Sequence, residues 1–177
     1  MKRIFLFTLT FLLISGCSTL SFNNRYQDAN WNKIIIAPFK GKMAHVAERE
    51  FEHALAISSQ IEVIPSSLAL LQLKEHKLEG LYKANPYEAM KKLAKLTKAD
   101  GIILGEVDSH SPKRMRASDL ASVSATIHAK LLDASNLHTV LSSYQSTSSL
   151  LNNENVLVEK VAKQSIEEFK EGLSYIK

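Results

Sequence analysis

Lys33-Ile34-Ile35-Ile36-Ala37-Pro38-Phe39 and, further along, Gly101-Ile102-Ile103-Leu104-Gly105-Glu106-Val107 are the stretches whose reading decides the fold. Neither has a polar residue at every second position, as a half-exposed strand requires, so each reads as a strand buried on both faces. Pro38 has no N–H to give to a ladder and closes the first run. Strands covered on both faces need helices on both sides, and helical patterns lie on either side of them. From Ala44 to about Ser58, residues Ala47, Phe51, Ala54, Leu55 and Ser58 share one face, with Glu48, Arg49 and Glu52 largely off it. Asn85-Pro86-Tyr87-Glu88 is a helix start, with Asn as N-cap, Pro at the first position and Glu three residues after the cap. That helix turns Met90, Leu93, Ala94 and Thr97 inward and ends near Asp100-Gly101. A helix that runs directly into the strand at Gly101 implies a crossover laying it parallel to earlier strands.

Working outward, Ile61-Glu62-Val63-Ile64 before Pro65 reads as a second short strand, and Ser66 or Ser67 caps a helix reaching about His76, followed by a looser stretch around Gly80. After a polar loop from about Ser109 to Asp119 the pattern alternates. Ala121, Val123, Ala125, Ile127, Ala129 and Leu131 point one way; Ser122, Ser124, Thr126, His128 and Lys130 point the other. This strand has one wet face and helices on one side only. Asp133-Ala134-Ser135-Asn136 supplies turn residues before a further strand from about Leu137 to Ser149, giving an antiparallel hairpin. Val158, Ala162, Ser165, Phe169, Gly172 and Ile176 mark a long closing helix. The expected architecture is α/β (α+β): one domain over residues 31–177, with a mixed sheet of about five strands and three or four helices.

At the N-terminus, Lys2 and Arg3 precede an apolar run from Ile4 to Ile14. A membrane-spanning helix needs about 20 apolar residues, so this run reads as a secretory signal peptide over residues 1–16. Leu13-Ile14-Ser15-Gly16-Cys17 resembles the lipobox of bacterial lipoproteins, in which the thiol is acylated and the chain is cut before it. The resemblance implies a membrane anchor through lipid on Cys17. By the same analogy, Ser18 in place of Asp favours sorting to the outer membrane with the domain facing the periplasm. Residues 17–30, polar and without an apolar period, read as a short lipidated tether. Cys17 is the only cysteine, so no internal disulfide supports the fold and the core must. Without Lys2 and Arg3 the formal charge of +4 falls to +2, too small an excess to indicate a nucleic-acid partner.

Three segments in this order resemble the compact α/β domain of the curli secretion lipoprotein CsgG, the N-terminal domain of TolB and the lipoprotein activators of penicillin-binding proteins. They are the opening strand ending in Pro38-Phe39, the Ala99-Asp100-Gly101 junction with its strand ending Gly105-Glu106-Val107, and Leu131-Leu132-Asp133-Ala134-Ser135-Asn136. The last is similar to the families' Asp-Ala-x-x-Gly turn. Asn136 stands near where they carry glycine, and Asn tolerates a left-handed backbone. The connections are too short and too polar for the inserted strands of a curli-type pore. The resemblance therefore implies an accessory lipoprotein that binds another envelope protein, with a self-assembling ring as the alternative.

The candidate chemistry is sparse. His45 and His53 lie on the first helix with Glu48 and Glu52 between them, but no metal-ligand spacing such as HExxH occurs, and no metal is expected. Asp108-Ser109-His110 contains the residue types of a hydrolase, without the Gly-x-Ser-x-Gly elbow, and an envelope hydrolase built on Asp108 and His110 is the rival reading. His128 occupies a wet strand face. No glycine-rich phosphate loop occurs, and no cofactor is expected. The partner-binding candidates are Lys113, Arg114, Met115 and Arg116, the densest basic cluster, set in a loop where it could meet anionic head groups or an acidic partner. The sequence thus points to a non-enzymatic accessory, assembly or activator lipoprotein of a secretion, motility or cell-wall machine.

Overall fold

The computed structural model describes residues 17–58, 60–111 and 122–176; the segment 1–16, expected to be a signal peptide, and the basic cluster Lys113–Arg116 lie outside the described residues. The strands are β1 (Cys17–Phe22), β2 (Lys33–Ile36), β3 (Lys40–Gly41), β4 (Glu62–Ile64), β5 (Gly101–His110), β6 (Val123–Asp133) and β7 (Thr139–Ser149). The helices are α1 (Ala44–Ser58), α2 (Ser66–Glu75), α3 (Glu79–Ala84), α4 (Pro86–Thr97) and α5 (Glu154–Ser174). They form the expected mixed α/β fold around one sheet of order β1-β7-β6-β5-β2-β4, with the two-residue β3 extending alongside β5. β2 runs parallel to both β4 and β5, whereas β5, β6, β7 and β1 are successively antiparallel.

The unbroken apolar run of β2 is explained by its position. Ile34 and Ile36 pack into the core beneath α1 and α5, while Ile35 and Ala37 pack into a second core beneath α2 and α4. Phe39, Phe51 and Phe169 continue the first core as edge-on ring pairs 5.2 and 5.3 Å apart. Phe39 lies against Gly105, where any Cβ would come within 2.4 Å of its ring, so the glycine of the Gly-x-Val ending is a packing requirement. Asp100 ties the two central strands together: its Oδ2 accepts from the Asn32 and Lys33 amides at 2.7 and 3.0 Å. At the other end of β2, Glu48 accepts from the Phe39 amide (2.6 Å) and the Ser66 hydroxyl (2.5 Å). Glu52 takes the Ser66 amide at 2.6 Å, capping α2 from a neighbouring helix.

Four expectations need correction. Residues 17–22 are not a free tether: β1 pairs with β7 from Cys17 opposite Ser146 to Phe22 opposite Leu141. The chain after it also stays on the domain, through Phe22 against Tyr175 and Tyr26 against Trp31. Polar Thr19 and Ser21 alternate with Leu20 and Phe22, a pattern too short to stand out and sufficient once an exposed strand edge is beside it. With β3, this gives two strands beyond the five in the sequence pattern. The loose stretch at Gly80 is helix α3. In the 133–138 turn the left-handed residue is Leu137 (φ 64°) rather than Asn136; Asn136 instead donates to Asp133 at 2.9 Å and accepts from the His138 amide at 2.7 Å.

Candidate functional site

Helices α1 and α5 cover one whole face of the sheet. On the opposite face, α2 and α4 reach only β4, β2 and the beginning of β5, so among the described residues no helix lies over the antiparallel half. Strand register fills that open face with rows of polar side chains. Glu106, His128, Tyr144 and Thr19 form one row, and Asp108, Thr126 and Ser146 occupy the next. His110, Ser124 and Ser148 follow, towards the end where β1 begins. Thr126 Oγ1 donates to Ser146 Oγ (3.2 Å), His128 Nε2 lies 3.1 Å from Ser142 Oγ, and the His128 ring meets Tyr144 edge-on at 6.3 Å. Partial burial lowers the proton affinity of His128, and Lys130 lowers it further while Glu106 opposes the shift. His128 is thus held mainly neutral near pH 7, with its ring available as donor or acceptor.

The underside of this platform also carries polar side chains, some of them bonded to α5, while the buried Ser109 hydroxyl finds no partner among the described residues. Ser143 and Gln145 of β7 donate to the two oxygens of Glu168 on α5 at 2.5 and 2.7 Å, and Ser165 donates to Ser143 at 2.8 Å. The Ser-rich patch at 142–149 thereby reads as a strand with two functions. Ser143 and Gln145 fasten α5 and Thr147 is buried on the same side; the even-numbered residues face outward.

Strand geometry also decides the hydrolase constellation. Asp108 and His110 project from the open face, but Ser109 lies between them and is buried on the helix-covered side. The three residues therefore do not converge. His45 and His53 are both exposed, and Glu48 and Glu52 between them are committed to the Phe39 and Ser66 hydrogen bonds. Among the described residues no group of three or more His, Cys, Asp or Glu could hold a metal ion.

Cys17 opens β1 at the edge of the sheet. It lies towards the same end of the sheet as His110 and Val123, the strand ends between which the sequence carries Lys113, Arg114, Met115 and Arg116, outside the described residues. At the opposite end, Lys91, Lys92, Lys95 and Lys98 border a groove of about 610 Å³ floored by Ala94, Ala99 and Ala134. The spacing of 91, 95 and 98 is present in the sequence; that the 133–136 turn packs beside this helix end and closes the groove is decided by the tertiary structure. Asp133 in that turn has its carboxyl held below the usual range: burial opposes this, but hydrogen bonds from Ser135, Tyr26 and Asn136 outweigh it. Among the described residues no helix is long and apolar enough to cross a membrane.

No protein-family model matches the sequence, and no curated protein matches it. Solved structures share the fold. The PelC dodecamer from Paraburkholderia phytofirmans is 11% identical, covering 88% of this chain and 98% of that one, with a TM-score of 0.56. Lipoprotein GNA1162 from Neisseria meningitidis is 13% identical, covering 79% of this chain and 99% of that one, with a TM-score of 0.52. The hypothetical protein CT253 from Chlamydia trachomatis is 10% identical, covering 79% and 96%, with a TM-score of 0.53. At such identities the likeness is one of fold, and it is a fold that bacterial lipoproteins use.

Proposed function

We propose that this chain is a lipid-anchored, non-enzymatic accessory factor of a cell-envelope machine in secretion, motility or cell-wall synthesis. In this reading Cys17 carries the lipid, the domain faces the periplasm from the outer membrane, and another envelope protein docks on the open sheet face. The observation that carries the reading is the half-covered sheet. An antiparallel platform, fixed from behind by the Ser143–Glu168–Gln145 bonds, presents alternating hydroxyl, imidazole and carboxylate groups with no helix among the described residues over them. A flat face of that kind suits recognition of a surface better than enclosure of a small substrate. The dispersal of Asp108, Ser109 and His110 over two faces supports the non-enzymatic reading. The resemblance to CsgG, TolB and penicillin-binding-protein activators is consistent with it.

The test is photocrosslinking in intact cells, with reactive residues at Thr126, Tyr144 and Glu106, at 113–116 in the basic loop, and on α1 as control. A reproducible adduct to one envelope protein from the open face identifies the machine; equal labelling from α1, or none anywhere, removes the docking reading. A second reading, a ring of copies, is favoured by the two strand edges, β1 and β4, left at the ends of the sheet. Adducts only between copies, together with a size in detergent several times that of one chain, would support it.

A further inference from the structure

We propose that the end of the domain bearing Cys17 lies directly against the bilayer, with the Leu150-Leu151 turn entering the boundary between head groups and acyl chains. The inference rests on acylation of Cys17. Because β1 begins at Cys17, opposite Ser146 of β7, the lipid attachment point belongs to the sheet itself, with no slack between anchor and domain. β7 continues to Ser149, in the direction from which the chain enters Cys17. At about 3.4 Å per residue, the strand end at Ser149 lies about 10 Å beyond the level of Cys17, and the turn with Leu150 and Leu151 follows it. The head-group layer on each side of a bilayer is about 5–8 Å thick, so an acylated Cys17 held among head groups puts the two leucines at the hydrocarbon.

The side chains at this tip fit that environment. Leu151 is 96% exposed, Leu150 52% and Val156 46%, with Met43 and Val123 beside Leu151 around a hollow of about 510 Å³. The turn is held in shape: Ser149 Oγ accepts from the Leu151 and Asn152 amides at 3.1 and 3.2 Å, and Asn153 caps α5 by accepting from Val156 at 3.0 Å. Asn152, Asn155 and Glu154, which pairs with Lys42 at 2.6 Å, line the same hollow, so the apolar tip carries polar groups beside it, as an interfacial element requires. The exit point of the anchor is what assigns the patch to lipid rather than to a second copy.

The full chain, purified from membranes, is reconstituted into phosphatidylethanolamine–phosphatidylglycerol vesicles with one new thiol carrying an environment-sensitive fluorophore. The thiol is placed by Leu151→Cys at the tip, or by Lys91→Cys at the far end. The expected result is blue-shifted emission at 151, with quenching by spin-labelled lipid severalfold stronger than at 91. Leu150→Asp with Leu151→Asp should speed release from vesicles without altering the circular dichroism. If the protein floats with vesicles but the 151 label is quenched by iodide as readily as the 91 label, the tip contact is overturned and the anchor stands. Protection at 151 from both iodide and lipid-phase quenchers would mean that protein covers the tip, again overturning the contact. Failure to float, with Cys17→Ser indistinguishable from the parent, would remove the anchor and the contact together.

Discussion

The two halves of this sheet are built from the same backbone ladder and carry opposite chemistry. In the parallel half, Ile34, Ile35, Ile36 and Ala37 are all fully buried, successive side chains alternating between two helix layers. In the antiparallel half only every second residue of β6 from Ala125 to Leu131 is buried (Ala125, Ile127, Ala129 and Leu131), and Thr126, His128 and Lys130 between them remain in partial contact with water. Cover on two faces excludes polar groups because each would lose its water without a partner. Cover on one face leaves the other free to carry recognition chemistry at little cost to the fold. The division explains why the candidate recognition face lies where it does: it falls on the half of the sheet that the fold does not cover on both sides.

The largest expected effect breaks the parallel half. Ile35→Ala should lower unfolding free energy by about 2–5 kcal/mol, seen as a lower urea midpoint at unchanged slope. Thr126→Ala on the open face should stay within about 0.5 kcal/mol. Equal costs for the two would erase the distinction. Asp100→Ala comes next. It removes the charged acceptor of the Asn32 and Lys33 amides at the junction of the central strands and should cost about 1.5–3 kcal/mol, with Asp100→Asn recovering part. In the antiparallel half, Glu168→Ala removes the acceptor shared by Ser143 and Gln145 and should cost about 1–3 kcal/mol. Amide exchange should then rise in β7 and β1 before β2, which sharpens the comparison by showing that the polar seam holds only its own half.

A smaller change is expected at Leu137. Replacement by Gly relieves a left-handed backbone, which costs a non-glycine residue about 1–2 kcal/mol, but loses the packing of a half-buried leucine, so the net should stay within about 1 kcal/mol in thermal melts. The smallest effect concerns pH. His128 has a folded-state proton affinity below its ordinary 6.5, so the unfolded chain takes up the proton first. Its contribution to stability is present above that value and is lost as pH falls towards the lower folded value. Asp133, also lowered, loses its contribution further down, below its ordinary 3.8. His128→Gln should flatten the first limb and leave the second intact.

The elements that the sequence displayed were those whose surroundings repeat along the chain. Ile34–Phe39 and Ile102–Val107 announced cover on two faces, the alternation from Ala121 to Leu131 announced cover on one, and Asn85-Pro86 marked a helix start that the Asn85 cap to Glu88 realises at 3.2 Å. Half of the candidate face was therefore legible, as the wet residues of β6. The other half was not, because Glu106, Asp108 and Tyr144 join it only through register between strands, and Ser109 leaves the hydrolase constellation by the same rule. Helix α3 was missed since Glu79–Ala84 is too short to show a period.

By itself, then, the sequence determined the strand and helix types, the mixed α/β class and the lipobox-like approach to Cys17, all of which are written in local spacing. The tertiary structure alone decided that residues 17–22 complete the sheet edge, that Leu137 takes the left-handed turn position, and that Cys17 and Leu150-Leu151 share one end of the molecule. Pairing at a sheet edge is made by backbone N–H and C=O groups that every residue type other than proline carries. Its partner can lie more than a hundred residues away, so no local pattern in the side chains records it.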